Sequence, residues 1–376
     1  MQLKQSIVAS LLSLSALGLH AQGITPTQIL IGQTAGFSGP VAGGVKETTD
    51  GARLYIDHVN KNGGVHGRKI VLESLDDAFD PKRAGLNAKK LIEESGVFAM
   101  FLTRGTPHTE AVIPHLKAHG VPLIAPSTGA ELLHTPVNPL IFNVRTKYQL
   151  EAEQAVVLLA TLGNKLIGLI HVDDSFGKDV AKGVMNGFKA ANLQPASVST
   201  YDRTSGKVDD AVQELLKANP RAGILIGSGT AVVSIVELVR KAGSGMQLLT
   251  ISNNSSGAFV KSLGENARGV IVTQVFPNPL RTMTAISNEM QKLALEKPGF
   301  VISHQAMEGF AGAKVLVEGL KRAGKNPTRE SFIAGLEKIR NYDLGGLFVS
   351  YSPKDHTGTE FVELSIIGKK GEFVQN

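Results

Sequence analysis

The 376-residue chain carries 39 Lys and Arg against 33 Asp and Glu, for a formal net charge of +6, with 5% aromatic residues and no cysteine. That length exceeds what one hydrophobic core usually supports, so two domains are expected. The absence of cysteine excludes thiol nucleophiles, thiolate metal sites and iron–sulfur clusters, and the dispersed positive charge with few aromatics lacks the basic stripe and stacking platforms of nucleic-acid binding.

Met1 to Ala21 reads as a secretory leader. Lys4 stands in a short polar segment, the apolar stretch Ile7 to Leu19 follows, and cleavage is expected after Ala21. The apolar stretch is shorter than the roughly 20 residues a spanning helix needs, so the mature protein is expected to be exported rather than anchored.

From Gln28 onward, short apolar runs alternate with longer amphipathic stretches, the pattern of parallel sheets covered by helices on both faces. The strands are expected at Ile29–Thr34, Lys69–Leu75, Val97–Leu102, Pro122–Ala125, Leu166–Val172, Ala222–Ile226, Gln247–Ile251 and Val270–Val275. Helices are expected at Thr49–Asn62, Lys82–Glu94, Gly177–Asn192, Val208–Ala218 and Ala231–Gly243. No flexible linker is visible, so the two lobes should be joined by several short crossovers, near Asn138–Lys147, Phe276–Pro279 and Val349–Pro353. The fold class is therefore α/β, with two doubly wound lobes and mainly parallel sheets. Residues 1–21 form the leader, 22–146 with 277–351 the first lobe, and 147–276 with 352–376 the second.

Ligands of open parallel sheets sit beyond the carboxyl ends of the strands. The loops there are Ala35–Pro40, Thr103–Pro107, Pro126–Ala130 and Ser252–Gly257, all rich in small polar residues. Such loops leading into helices present backbone N–H groups to an anion, and the hydroxyls of Thr106, Ser127 and Thr128 would add donors. The same residues are also ordinary helix caps and turn formers. Phe176 reads as an aromatic in a polar loop just ahead of a helix, placed to cover a ligand.

Other constellations carry less. Asp76-Asp77 could serve a hydrolase, yet no partner stands at a telling spacing, and capping or loop bonding accounts for the pair. His108, His115 and His119 can share a helix face but lack a carboxylate to complete a metal site. Gly227-Ser228-Gly229 has two glycines of a dinucleotide fingerprint, with Val232 where the third belongs, and neither a Walker sequence nor G-x-S-x-G occurs. No cofactor is expected.

In order and spacing, several short pieces together resemble the type I periplasmic binding proteins of branched-chain amino-acid ABC transporters. They are Gly39-Pro40-Val41-Ala42, Gly51-Ala52, Asn60–Gly67, Asp76-Asp77 with Asp80-Pro81, Pro126-Ser127-Thr128 and Phe176-Gly177. The resemblance implies a Venus-flytrap receptor that catalyses nothing, joined by three crossovers, monomeric, and presenting its closed form to an inner-membrane permease. It also implies a carboxylate grip at Gly105-Thr106 and Ser127-Thr128-Gly129, covered by Phe176. Phe37, Gly229, Thr230, Ser252, Asn253 and Phe276 are expected to line the remainder. Amino-acid-binding members set an acidic side chain against the ligand ammonium where this chain has Ser252 and Asn253, and their first-loop aromatic is replaced near Gly43-Gly44. A buried cation without a counter-charge is costly, so a hydroxy, keto or aromatic acid stands beside an aliphatic amino acid as ligand. An amide-sensing regulator of the same fold is the alternative receptor, and a hydrolase using Asp76, Asp77 or a histidine the alternative enzyme. Thr106→Ala is expected to weaken binding while leaving the stability of the empty protein nearly unchanged.

Overall fold

The protein is described by a computed structural model covering residues 22–374; the expected leader, Met1 to Ala21, lies outside the described residues. Strands β1 (Gln28–Ala35), β2 (Lys69–Asp76), β3 (Ala99–Phe101), β4 (Leu123–Ile124) and β5 (Ile141–Phe142) form a parallel sheet in the order β2-β1-β3-β4-β5. Strands β6 (Ile167–Val172), β7 (Ser197–Tyr201), β8 (Ala222–Ile226), β9 (Gln247–Thr250) and β10 (Ile271–Gln274) form the parallel part of a second sheet. A small antiparallel sheet follows, of β11 (Tyr342–Asp343), β12 (Phe348–Ser352) and β13 (Asp355–Gly358). The chain then returns to the second sheet, adding β14 (Glu363–Ile367) and β15 (Phe373–Val374) antiparallel beside β10.

Helices cover both sheets. Against the first lie α1 (Ala42–Lys61), α2 (Pro81–Glu93) and α3 (Thr106–His119). The second carries α4 (Tyr148–Thr161), α5 (Ser175–Ala190), α6 (Asp209–Ala218), α7 (Thr230–Lys241) and the short α8 (Gly257–Leu263). The chain then crosses back to supply α9 (Ala285–Ala294), α10 (His304–Ala323) and α11 (Arg329–Glu337) to the first lobe. One face of the first sheet packs on α1, α10 and α11 through Ile31, Phe101, Phe310 and Phe332, and the other on α2 and α3 through Leu91, Met100 and Leu116. Local signals start the helices where expected: Asp80 caps α2 by accepting from Lys82 N, with Pro81 in the first turn.

The axis of the first lobe is the close pair α1 and α10, and glycine makes it possible. A Cβ at Gly51 would stand 1.9 Å from the Ala306 carbonyl oxygen, and one at Gly309 would stand 1.7 Å from that of Thr48. Helix α1 begins at Ala42, a turn or more before the expected Thr49. At Gly43, where the expected first-loop aromatic is replaced, a Cβ would lie 2.4 Å from Ala258 Cβ, so the glycine serves an approach to the other lobe within the helix.

The chain passes between lobes three times. The first passage follows β5 and the second follows β10. The third comes after β13, later than the expected Val349–Pro353, because Val349 and Tyr351 are buried in the first lobe's core and β13 still belongs with β5. His356 O accepts from Asn143 N at 2.9 Å, and Tyr351 Oη donates to Asn143 O at 2.7 Å.

Candidate functional site

The loops after β1, β3 and β4 in the first lobe face those after β6, β8 and β9 in the second, so the carboxyl ends of both sheets meet along one seam. The loop after β3 is shaped by positive φ at Leu102 (51°) and Gly105 (92°), which turns the chain directly into α3 with Thr106 as its first residue. Thr106 Oγ1 and Thr128 Oγ1 lie 2.8 Å apart, both buried. Ser127 Oγ accepts from Arg104 Nη1 at 2.9 Å. Gly129 is needed for packing, since a Cβ there would stand 2.4 Å from Thr146 O in the first passage. The expected hydroxyl pair is therefore assembled from two loops of the first lobe.

In this geometry Thr106→Ala strands the buried Thr128 hydroxyl, which costs about 1–3 kcal/mol in the empty protein. The expectation that empty-state stability would be unchanged is corrected on that ground. Thr106→Ser, which keeps the oxygen, is the control that separates loss of the hydroxyl from loss of the methyl group.

Phe176 stands in the first turn of α5, not in a loop ahead of it, because Asp174 Oδ1 accepts from Gly177 N at 3.0 Å and starts the helix two residues before the expected Gly177. The ring is buried against Tyr148, edge to face at 5.1 Å. Gly229, the residue before α7, touches the first lobe: a Cβ there would lie 1.9 Å from Pro40 O. Thr230 beside it is exposed. Phe37 is half-buried on a small cluster with Val41, Val45 and Phe79, and Phe276 is buried in the first lobe's core at the second passage. Asn253 donates through Nδ2 to Gly227 O at 2.9 Å.

Ser252 belongs to a buried ionic network. Glu151 of α4 accepts from Ser252 N (2.6 Å), Ser252 Oγ (3.1 Å), Arg145 Nη2 (3.2 Å) and Thr273 Oγ1. Arg145, in the first passage, also reaches Glu308 of α10 at 3.5 Å and lies over the Tyr148 ring at 4.6 Å.

Three further groups that sequence reasoning did not single out bridge the seam. Arg104 Nη2 donates to Asn253 O at 2.7 Å and Gln305 Nε2 to Ser252 O at 3.1 Å, while Glu47 of α1 accepts from Gly257 N and Ala258 N at 2.9 and 2.8 Å. At the other end of the seam Ser175 Oγ donates to Glu110 Oε2 at 2.5 Å, and Arg203 lies over Phe79 at 5.0 Å. The one signal available for Arg104 was a guanidinium inside a loop otherwise of small residues.

Asp76 and Asp77 bond neighbouring loops. Asp76 accepts from Ser38 Oγ (2.6 Å) and Ala78 N (2.8 Å), Asp77 from Thr34 Oγ1 (3.0 Å) and Phe79 N (2.9 Å). His108 is buried and stacked on Phe79 at 4.3 Å, while His119 meets Glu93 at 3.2 Å. Among the described residues, no group of His, Cys, Asp and Glu could hold a metal ion.

Burial pushes His108 down to about 4 and His134 and His304 to about 3. Burial holds Asp77 up at about 6, against its hydrogen bonds. Each histidine takes its proton in the unfolded chain first, so its contribution to stability is complete above about pH 6.5 and is lost as the pH falls toward the folded value. Asp77 is protonated in the fold first and offsets one histidine between about pH 6 and 4. Stability should therefore fall on acidification from about pH 6.5, by about 1.4 kcal/mol per pH unit for each of the two uncompensated protons. Urea unfolding across that range checks it, and a flat profile would show that the rings take up protons in the fold as readily as in the unfolded chain.

Two doubly wound lobes with paired carboxyl-terminal loops and three connecting passages define a type I periplasmic binding protein. The chain belongs to the periplasmic binding protein family, whose model matches residues 28–370. The Leu/Ile/Val-binding protein homolog 3 of Brucella melitensis is 27% identical over 305 residues, 79% of each chain. The Leu/Ile/Val-binding protein of Escherichia coli K12 is 26% identical over 253 residues, 65% of this chain and 67% of that one. Among solved structures, a substrate-binding periplasmic protein from Ralstonia solanacearum superposes with a TM-score of 0.87 at 31% identity, covering 93% of this chain and 100% of that one.

Proposed function

We propose that this chain is the receptor of an ABC importer, exported behind a leader cleaved after Ala21, that clamps a small carboxylate-bearing ligand for an inner-membrane permease. It acts as a monomer and catalyses no reaction. The observation that carries the reading is the hydroxyl grip of Thr106, Ser127 and Thr128 on one lobe, held where Arg104, Gln305 and Glu47 bond across the seam to the other. Ligand contacts to both lobes exist only when the seam is closed, so binding shifts the hinge by its differential affinity. The carboxylate takes the donors that Thr106 and Thr128 otherwise spend on each other, with Phe176 and Tyr148 behind it. Asp76 and Asp77, the pair a hydrolase would use, spend their oxygens on loop amides and hydroxyls.

The test is a thermal-shift screen of the mature protein against aliphatic amino acids, 2-keto acids and aromatic acids. A ligand at 100 times its dissociation constant adds roughly 2.7 kcal/mol. Thr106→Ser, which keeps the hydroxyl, should bind the responding acid nearly as well as the wild type at nearly unchanged empty-state stability, whereas Thr106→Ala should bind it at least several-fold more weakly. No response to any carboxylate, or turnover of one, would refute the reading.

A further inference from the structure

The seam contains a buried charge whose hydrogen bonds go to no carboxylate. Arg104 is 5% exposed, and its guanidinium donates to Ser127 Oγ (2.9 Å), Gln305 Oε1 (3.0 Å) and Asn253 O (2.7 Å), all neutral acceptors. Arg145, buried nearby, is placed differently, with Glu151 at 3.2 Å and Glu308 at 3.5 Å. Burial pulls Arg104 below its ordinary value, and the charge of Glu308 offsets this only in part. A desolvated cation among neutral partners is costly to maintain unless an anion arrives to meet it.

Arg104 also opens on a cavity. A space of about 230 Å³ lies in the seam between Pro40, Gly43 and Gly44 of the first lobe and Gly229, Asn253 and Ser256 of the second. Among its lining residues Arg104 is the one charged side chain. Helices α1 and α7 begin at its wall, and neither Val41 nor Gly229 caps its helix through a side chain, so their positive ends add to the field. The acids bonded around the second-lobe wall are already engaged, Glu47 by the Gly257 and Ala258 amides and Glu151 by Arg145, Ser252 and Thr273.

We propose that this cavity is an anion subsite headed by Arg104, and that the receptor selects ligands with net negative charge, organic acids without an ammonium group, over zwitterionic amino acids. The inference rests on the receptor reading. The ligand carboxylate or a second acidic group exchanges places with the Gln305 and Asn253 acceptors on the guanidinium. An ammonium brought to the same wall would meet Arg104, with no carboxylate among the lining residues to balance it.

The experiment is calorimetric titration of the mature protein, stripped of bound ligand by unfolding and refolding, with leucine and with 4-methyl-2-oxopentanoate, its keto acid, at low and moderate salt. Glutarate and benzoate extend the set of amine-free acids. The wild-type protein should bind at least one of these acids at least tenfold more tightly than leucine. Arg104→Gln should lose that preference, and Arg104→Lys should keep part of it. Leucine binding as tight as or tighter than every acid would overturn the inference while leaving the receptor intact, and so would acid binding unchanged in Arg104→Gln. No binding of any of them would overturn the inference and the carboxylate reading together. The wild-type selectivity decides the question even where Arg104→Gln does not fold.

Discussion

Glu151→Ala is expected to cost the protein about 3–5 kcal/mol of stability, the range for breaking a buried ion pair from one side. The carboxylate is fully buried and satisfies four donors from three places in the chain: Arg145 in the first passage, both donors of Ser252 after β9, and Thr273 in β10. Removing it leaves Arg145 desolvated with Glu308 at 3.5 Å and strands the Ser252 amide. A double variant, Glu151→Leu with Arg145→Met, should lose less than the sum of its singles, because replacing both charges removes the desolvation cost along with the attraction. The exposed pair Lys46–Asp50 sets the contrast, and Asp50→Ala should cost no more than about 1 kcal/mol. Denaturant midpoints of the five variants, Glu151→Ala, Glu151→Leu, Arg145→Met, their double and Asp50→Ala, check the expectation. A loss at Glu151 no larger than at Asp50 would mean that water enters the network and solvates it.

The network also explains which parts of the protein could be read from its sequence. Strands β1, β6 and β8 were legible because both their faces are buried, leaving continuous apolar runs. Strand β7 was not, since at the sheet's edge its Ser-Val-Ser-Thr-Tyr sequence alternates and lacks such a run. Strand β4 lies inside the expected Pro122–Ala125, whereas β5, equally two residues long, is too short for any period to show. Helix α10 is buried on nearly every side and carries Gln305, Glu308 and Lys314 inward, so no apolar stripe marks it.

The site divides in the same way. Thr106, Ser127 and Thr128 could be found from the rule that ligands gather at strand ends. The Phe176 reading misplaced the helix start, because the capping role of Asp174 is shared by any Asp in a turn. Arg104, Gln305 and Glu47 act through partners far away in sequence, such as Asn253, Ser252 and Gly257. Local patterns report local bonds, and the seam is made of distant ones.

Glu47→Gln is expected to raise the apparent dissociation constant about tenfold or more without touching the ligand. Glu47 rises from the first turns of α1 on one lobe, 6% exposed, and its two oxygens accept the amides of Gly257 and Ala258 on the other at 2.9 and 2.8 Å. Those amides open α8, where intrahelical partners are lacking, so the negative charge sits at the positive end of a helix. Hydrogen bonds to a charged group contribute about 1.5–3 kcal/mol each, and this pair exists only while the lobes are together. Losing even one such contribution lowers the closed population, and ligand affinity, by roughly tenfold to a hundredfold. The folding stability of each lobe should change little, since neither lobe's own core is touched. Small-angle scattering of the empty variant should show a larger radius than the wild type, and titration a faster release. Unchanged affinity together with unchanged compactness would mean that closure is held by the centre of the seam alone, at Arg104 and Gln305, and that Glu47 serves only to cap α8.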